Sequence, residues 1–257
     1  MPIRLLRPDV SSKIAAGEVI ERPASAVKEL IENSLDAGAT RISVEVRGGG
    51  SELIRISDNG GGIPANEVEL AFRRFATSKV SSAEDLDGIK TLGFRGEALP
   101  SISAVSRVTL VTRCERELEG TRFEVHDGET VGKEPTGAPT GTTITVRQLF
   151  RNLPARQKFL KTVGTEMSRI QIAVTRYALA YPEVRFELNP DKGRKFASPG
   201  TGDLRAAVAA VYGLQNAEGM LDMTPSDEDD LSPMVWGLIS PPSLDRANRS
   251  YICFFVN

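Results

Sequence analysis

The sequence has little histidine, cysteine or tryptophan, with one, two and one of these residues among 257. Cys114 and Cys253 form no C-x-x-C pair, so the usual pattern of a structural zinc site is missing. The single histidine, His126, lies in a Val-His-Asp-Gly-Glu stretch that predicts a hairpin turn, which is typical of a surface histidine. A Ser–His–Asp triad would therefore rest on one candidate.

Long apolar runs and a strong charge of one sign are also missing. No apolar run approaches the length that spans a membrane, and the N-terminus lacks the apolar core of a signal peptide. The 34 acidic and 32 basic residues give a formal net charge of -2, which neither demands nor excludes a nucleic-acid partner. We therefore expect a cytoplasmic protein in a reducing setting, with no membrane partner and one large or two modest domains.

The most informative stretch of the sequence is one predicted helix. Pro23 suits the first turn of a helix, and Gly38 suits the left-handed residue just past its end. Between them an apolar arc recurs at helical spacing, formed by Val27, Leu30, Ile31, Ser34 and Leu35. Glu29, Asn33 and Asp36 lie together on the other side of the helix.

A carboxylate beside an amide can serve a nucleotide in two ways. Glu29 and Asn33 are four residues apart, so their side chains are neighbours on the helix. The carboxylate can orient and deprotonate a water molecule, and the amide oxygen can complete the shell of Mg²⁺. The same polar set is also typical of a solvated helix face, and the helix alone leaves both interpretations open.

A second segment, Asp58-x-Gly60-x-Gly62, follows a predicted hairpin of strands Arg41–Arg47 and Leu53–Ser57. An aspartate there can accept a hydrogen bond from an exocyclic amine, which selects adenine because guanine offers a carbonyl at that edge. The glycines would let a flat base lie against the backbone. The segment therefore predicts an adenine site.

A third segment, Gly93-Phe94-Arg95-Gly96, opens a predicted helix whose backbone N–H groups can bind phosphate. Thr142 and Thr143 add hydroxyl groups from another predicted strand. There is no G-x-x-x-x-G-K-[ST] motif, so a Walker-type site is excluded. The first G-x-G follows a hairpin rather than a βαβ unit, which argues against a Rossmann fold.

Periodicity and turn signals predict the remaining elements. Helices are predicted from Pro64 or Asn66 to about Phe75, and at Thr165–Tyr181 and Leu204–Tyr212. Strands are predicted at Val108–Arg113, Thr121–Val125, Thr142–Arg147, Val184–Leu188, Lys195–Ala197, Met234–Ile239 and Tyr251–Val256. Residues 76–95 predict a long loop, 150–160 a basic connection, and 198–202 a domain boundary.

Taken in order, these segments resemble the GHKL ATPase superfamily and, within it, the bacterial MutL family. The resemblance is carried by IAAGEVIERPAS at 14–25, KELIENSLDAGA at 28–39, DNGGGI at 58–63, ATSK at 76–79, LGFRGEAL at 92–99 and NLPAR at 152–156. It is dense up to about residue 160 and loose beyond. Gly61 replaces a cysteine common in the family, which should be harmless because that residue contributes backbone.

The resemblance implies an α+β fold, the Bergerat-type α/β sandwich, with helices on one face of a mixed sheet. The ATPase domain would span 1–200, with a dimerisation arm at 1–22 and an ATP lid at 76–95. Residues 201–257 would begin a second, transducer-like domain that resembles the ribosomal S5 domain 2-like fold and is truncated.

The resemblance also implies roles. Glu29 would be the general base, Asn33 would hold Mg²⁺, and Asp58 would bind the adenine amino group. The implied nucleotide-binding set is Asn33, Ala37, Asp58, Gly60, Gly62, Ile63, Thr77, Ser78, Lys79, Leu92, Gly93, Phe94, Arg95, Gly96, Leu99 and Thr143.

Some charged residues keep two interpretations. Glu32 and Asp36 are favoured as ion-pair partners of Lys28 or Arg41, and Arg95 is a phosphate contact or a structural ion-pair residue. A further basic group offers either solvated charges or a groove for the DNA backbone: Arg151, Arg156, Lys158 and Lys161.

As a whole, the resemblance implies a Mg²⁺-dependent ATPase of DNA mismatch repair that switches a clamp. The implied partners are a second copy in an ATP-dependent N-terminal dimer, the mismatch-recognition protein MutS, and DNA held weakly by its backbone. The setting would be cytoplasmic and nucleoid-associated. The alternative is a nucleotide-binding scaffold in which hydrolysis is incidental. A histidine kinase is disfavoured because it needs a phospho-acceptor histidine, and the single His126 lies in a predicted turn.

One implied group falls beyond the sequence. In the family a lysine of the second domain reaches the γ-phosphate, and its place would follow Asn257. The C-terminal dimerisation region and any endonuclease site would follow too. We therefore expect this chain to bind ATP or ADP and to turn over slowly.

Overall fold

The computed structural model describes residues 16–79, 88, 91–93, 95–224 and 234–256, with only the backbone of residue 250. The helices are α1 (Pro23–Asp36), α2 (Ala98–Ala104), α3 (Pro154–Phe159), α4 (Val163–Ala180), α5 (Leu204–Tyr212) and α6 (Leu214–Glu218). The strands are β1 (Arg41–Arg47), β2 (Leu53–Asp58), β3 (Arg107–Arg113), β4 (Gly120–His126), β5 (Glu129–Thr136), β6 (Gly141–Arg147), β7 (Arg185–Pro190), β8 (Phe196–Ala197), β9 (Leu221–Met223) and β10 (Gly237–Ile239).

Eight strands form one mixed sheet in the order β5-β4-β3-β6-β2-β1-β7-β8. Only β1 and β7 run parallel, and the other neighbours are antiparallel. In β1 the side chains of Ile42, Val44 and Val46 are fully buried, whereas those between them are partly solvated. This alternation gives the sheet one apolar face and one polar face, and the predicted mixed-sheet fold is confirmed.

Helix α1 lies on the apolar face of the sheet and packs against α4. Pro23 occupies its first turn, where a missing N–H costs nothing, and Gly38 follows its end with a φ of 73°. Val27, Leu30 and Ile31 are buried in the core. Burial of this arc fixes the rotation of the helix, so its polar side is turned away from the sheet core.

A smaller apolar cluster joins the end of α4 to α5 and α6, through Leu179, Ala207, Val208 and Ala217. It is separate from the main core between the sheet and its helices. Strands β9 and β10 form their own two-stranded sheet. The domain boundary at 198–202 stays a prediction. None of the helices in the described part of the chain has the length and apolar character needed to cross a membrane.

Two predicted elements are wrong. The helix from 64 or 66 to 75 is replaced by turns and a 3-10 helix at Leu70–Phe72. An extended Arg73 and a Phe75 with a φ of 62° end it, because neither conformation can continue a helix. The strand at 251–256 does not form, since no neighbouring strand in the described chain pairs with it.

Two observed elements were not predicted from the sequence. The predicted hairpin turn after His126, at Asp127–Gly128, leads into an additional strand, β5, which pairs with β4. Nearly every residue of β5 is exposed, so this edge strand carries no apolar alternation. Helix α3, inside the basic connection, is six residues long and buries none of them.

Candidate active site

A cleft of about 1160 Å³ lies beside the polar side of α1, between the end of β2 and the described ends of the lid segment, residues 76–95. It collects most of the predicted nucleotide contacts. The predicted residues in its lining are Glu29, Asn33, Ala37, Asp58, Gly62, Ile63, Thr77, Ser78, Lys79, Leu92, Gly93, Arg95, Gly96 and Leu99. Segments far apart in sequence therefore meet in one concave site.

Three predicted contacts are not in that lining. Gly60 lies behind it, against the backbone of Ala37. The Thr143 hydroxyl donates to the Ser57 hydroxyl at 3.0 Å on the opposite face of the sheet, whereas Thr142 lines the cleft. Phe94 lies outside the described residues.

Asp58 is fixed at the inner end of the cleft by three donors. Its Oδ2 accepts the Ser34 hydroxyl at 2.9 Å. Its Oδ1 accepts the backbone N–H of Gly60 at 2.9 Å and of Thr142 at 3.2 Å. Burial raises the pKa of Asp58, and these hydrogen bonds offset part of that rise. The carboxylate is therefore held in one orientation where it lines the cleft.

The sequence contained a signal that Thr142, and not Thr143, faces the cleft. Ile144 lies on the apolar face of β6 and lines the cleft, so a period of two places Thr142 beside it. Ser34 was harder to identify, because its place in the apolar arc of α1 suggested a packing role. Its hydroxyl contacts both the Leu30 carbonyl and Asp58.

The glycines after Asp58 are required by protein packing. A Cβ on Gly60 would lie 2.8 Å from the Ala37 carbonyl oxygen. Gly62 has a φ of 73°, and a Cβ there would collide with the carbonyl group of Arg113. Close contact between backbones, in addition to any ligand, thus explains why side chains are excluded here.

Gly62→Ala is expected to destabilise the fold by about 3 kcal/mol, because a left-handed φ and a steric collision act together. Gly61→Ala is the matched control, since its φ is not left-handed and a Cβ would meet nothing nearer than 3.7 Å. It should change stability by less than about 1 kcal/mol. Urea unfolding of both variants measures the difference, and equal stabilities would contradict the packing explanation.

Glu29 projects from α1 into the cleft, with 29% of its side chain exposed. Burial is the main cause of its raised pKa, and the nearby Glu32 carboxylate adds to the rise. The charges of Lys28, Arg95 and Lys79 act in the opposite direction. A carboxylate that binds a proton more readily than usual is suited to act as a base.

Glu32 is nearly buried and has its own partners. Lys28 lies 3.0 Å from its carboxylate, as the predicted ion pair requires. The Tyr177 hydroxyl donates to Glu32 Oε1 at 2.7 Å. Burial is the main cause that raises the pKa of Tyr177 far above its ordinary value, and the Glu32 carboxylate adds to the rise. Glu32 is thereby held one turn away from Glu29.

Asp36 does not pair with Lys28 or Arg41, which corrects that expectation. Its carboxylate lies 2.5 Å from Lys79 Nζ, and Lys79 also donates to Asn33 Oδ1 at 3.1 Å. Asn33 therefore presents its amide oxygen to a cation inside the cleft. Among the described residues no group of three or more acidic, histidine or cysteine side chains could hold a metal. A Mg²⁺ ion would need ligand oxygens and water besides Asn33, which is how Mg²⁺ usually binds beside phosphates.

Two members of the basic group have partners within the fold. Arg151 pairs with Asp127 at 2.7 Å. Arg156 donates to the Gly17 carbonyl at 2.5 Å, which ties α3 to the segment before α1. The structure therefore gives these arginines local roles, and DNA contact by this group stays a prediction.

Residues 20–153 match the family described as histidine kinase-, DNA gyrase B-, and HSP90-like ATPase. The DNA mismatch repair protein MutL of Desulforamulus reducens is 53% identical over 99% of this chain and 39% of its own length. That of Symbiobacterium thermophilum is 52% identical over 99% of this chain and 40% of its own. The chain thus spans about two fifths of the length of these relatives.

Comparison with a solved structure indicates the same family. The Aquifex aeolicus MutL ATPase domain complexed with ADP is 37% identical and superposes with a TM-score of 0.65. The match covers 79% of this chain and 72% of that one. The chain therefore belongs to the MutL family of GHKL ATPases and corresponds to its N-terminal ATPase region.

Proposed function

We propose that this chain is the nucleotide-driven switch of a DNA mismatch repair protein: it binds ATP with Mg²⁺ in the cleft beside α1 and hydrolyses it slowly. One observation carries the proposal, namely that Glu29, Asn33 and Asp58 line a single cleft together with Lys79 and Gly93. The relative from Aquifex aeolicus, described as complexed with ADP, supports the same ligand class.

The adenine end would be read by Asp58. Its carboxylate, oriented by Ser34, Gly60 and Thr142, accepts the exocyclic amine of adenine. Guanine presents a carbonyl oxygen there, which a carboxylate repels. A buried polar group built for one partner rejects a ligand that lacks it by a large factor.

The phosphate end would lie near Glu29, Lys79, Gly93 and Arg95. Lys79 and Arg95 supply positive charge, and Glu29 orients a water molecule in line with the γ-phosphate and takes its proton. Asn33 would hold Mg²⁺, which supplies charge neutralisation of the phosphate oxygens when bound. The raised pKa of Glu29 matches the task of a base.

The wider consequences belong to the whole protein. Nucleotide binding would order the lid segment and bring two N-terminal regions together through residues 1–22, changing the hold of a clamp on DNA and on MutS. The setting would be cytoplasmic and nucleoid-associated. The DNA contact would be weak and made to the phosphate backbone.

As the pH is lowered, the turnover rate should begin to fall at a higher pH than it would with an ordinary glutamate as the base. Glu29 must be ionised to accept a proton, and burial raises its pKa above the ordinary 4.5. Lowering the pH through this raised pKa protonates the base and removes activity. The stability of the fold changes with pH in the opposite direction. Protonation of Glu29 relieves the cost of burying its charge, and ionisation at higher pH restores that cost. A pH profile of kcat/KM, which reports groups of the free enzyme, measures the first effect, and a flat profile down to the ordinary range would contradict the assignment.

A direct test is calorimetric titration of the chain with ATP, ADP and GTP, with and without Mg²⁺. We expect binding of ATP and ADP that strengthens with Mg²⁺, and GTP binding weaker by at least about tenfold. Equal affinity for ATP and GTP, or no binding of either, would overturn the proposed function.

A further inference from the structure

Lys79 extends from the lid segment into the cleft, where its ammonium group lies between two side chains of α1. Nζ is 2.5 Å from Asp36 Oδ2 and 3.1 Å from Asn33 Oδ1. The Asp36 side chain is only 6% exposed, and that of Lys79 is 21% exposed. Because water is largely excluded, attraction between these charges is stronger than for a surface pair.

The same carboxylate also binds the other described end of the lid segment. Asp36 Oδ1 accepts the backbone N–H of Leu92 at 2.9 Å, and Oδ2 accepts that of Gly93 at 3.1 Å. Hydrogen bonds to an ionised acceptor are about twice as strong as neutral ones. One carboxylate therefore joins α1 to residue 79 on one side of the segment and to residues 92 and 93 on the other.

The ammonium group lies against the oxygen that would serve a metal. Asn33 Oδ1 is the atom that the proposed function assigns to Mg²⁺, and Lys79 already donates to it. Two cations in contact with one oxygen repel each other strongly in a partly buried site. Lys79 and Mg²⁺ therefore compete for Asn33.

We propose that Lys79 is an internal counter-ion of the nucleotide-free protein, which the Mg²⁺–nucleotide complex displaces from Asn33. Asp36 is the positioning residue that holds Lys79, Leu92 and Gly93 in place for this exchange. The inference rests on the proposed function, since both concern the same cleft. It couples metal binding to the two ends of the lid segment through contacts between described residues.

Removing the competitor should lower the need for metal. In Lys79→Met the ammonium group is gone, and the charge of Asp36 is left to attract a cation. The Mg²⁺ concentration that gives half-maximal binding of a fluorescent ADP analogue should fall about tenfold. Lys133→Met is the control, because Lys133 pairs with Glu69 at 3.2 Å on the surface, outside the cleft.

Binding of the same analogue in EDTA measures any direct contact between Lys79 and the nucleotide separately from the competition with Mg²⁺. Such a contact would weaken binding without metal and leave the Mg²⁺ requirement to report on competition. A Mg²⁺ requirement that is unchanged or higher in Lys79→Met, with Lys133→Met unaffected, would overturn the counter-ion role.

The positioning role can be tested without nucleotide. In Asp36→Asn the charged acceptor is lost, so the amide hydrogens of Leu92 and Gly93 should exchange with solvent about tenfold faster by NMR. Asp191→Asn is the control, because Asp191 accepts the Gly48 N–H at 3.2 Å away from the cleft. It should leave Leu92 and Gly93 unchanged.

Unchanged exchange at both amides in Asp36→Asn would overturn the positioning role. This measurement is independent of the proposed function. Failure of the unmodified chain to bind any adenine nucleotide would instead overturn the proposed function and leave the exchange result standing.

Discussion

Glu29→Gln should abolish ATP hydrolysis while ATP still binds. Glutamine keeps the shape and hydrogen-bonding reach of the side chain but cannot accept a proton from water. Loss of a positioned general base lowers a rate by roughly a hundredfold to ten-thousandfold. Phosphate release measures turnover, and calorimetric titration measures binding. The fold should not suffer, since burial of this carboxylate raises its pKa and a neutral side chain avoids that cost.

Glu69→Gln serves as the matched control, because Glu69 is outside the cleft and pairs with Lys133 on the surface. It should keep the turnover of the unmodified chain. A Glu29→Gln chain that hydrolyses ATP normally would contradict the general-base role. In the whole protein, repair that survives this substitution would favour the scaffold interpretation, in which occupancy of the site is the signal.

Asp58→Asn should remove most of the affinity for adenine nucleotides. The amide is similar in shape, but it replaces a charged acceptor by a group that also donates, and the donors around it are arranged for a carboxylate. Loss of a hydrogen bond to a charged group costs about 1.5–3 kcal/mol, or roughly a tenfold to hundredfold rise in Kd. Discrimination between ATP and GTP should shrink with it.

Ser57→Ala is the control for this experiment, since Ser57 precedes Asp58 but hydrogen-bonds Thr143 on the opposite face of the sheet. It should leave the Kd for ATP within about twofold of the unmodified chain. Far-ultraviolet circular dichroism and thermal unfolding check that Asp58→Asn is folded. A folded Asp58→Asn variant with unchanged affinity and selectivity would contradict the adenine assignment.

Local patterns were enough to predict the elements that form the floor and wall of the cleft. Helix α1 is marked by Pro23, by Gly38 and by an apolar arc that the sheet buries. The β1–β2 hairpin is marked by the alternation of β1 and by the three glycines that connect it to β2. In these cases each local preference agrees with burial in the final fold.

Contacts between distant segments could not be read in the same way. Lys79 meets Asp36 across 43 residues, and Thr142 meets Asp58 across 84. Strand β5 has no apolar alternation, and it forms because β4 offers an unpaired edge. The predicted strand at 251–256 is the opposite case: its residues form an apolar run, but no partner strand lies beside it among the described residues.

The most direct test of the central claim is a crystal structure of the chain with Mg²⁺ and a nonhydrolysable ATP analogue. We expect the adenine amino group within hydrogen-bond distance of Asp58, the phosphates beside Gly93 and Gly96, and the γ-phosphate facing Glu29. We also expect Asn33 to contact the metal in place of Lys79. A nucleotide bound elsewhere on the chain, or a cleft that stays without nucleotide at saturating concentrations, would contradict the claim.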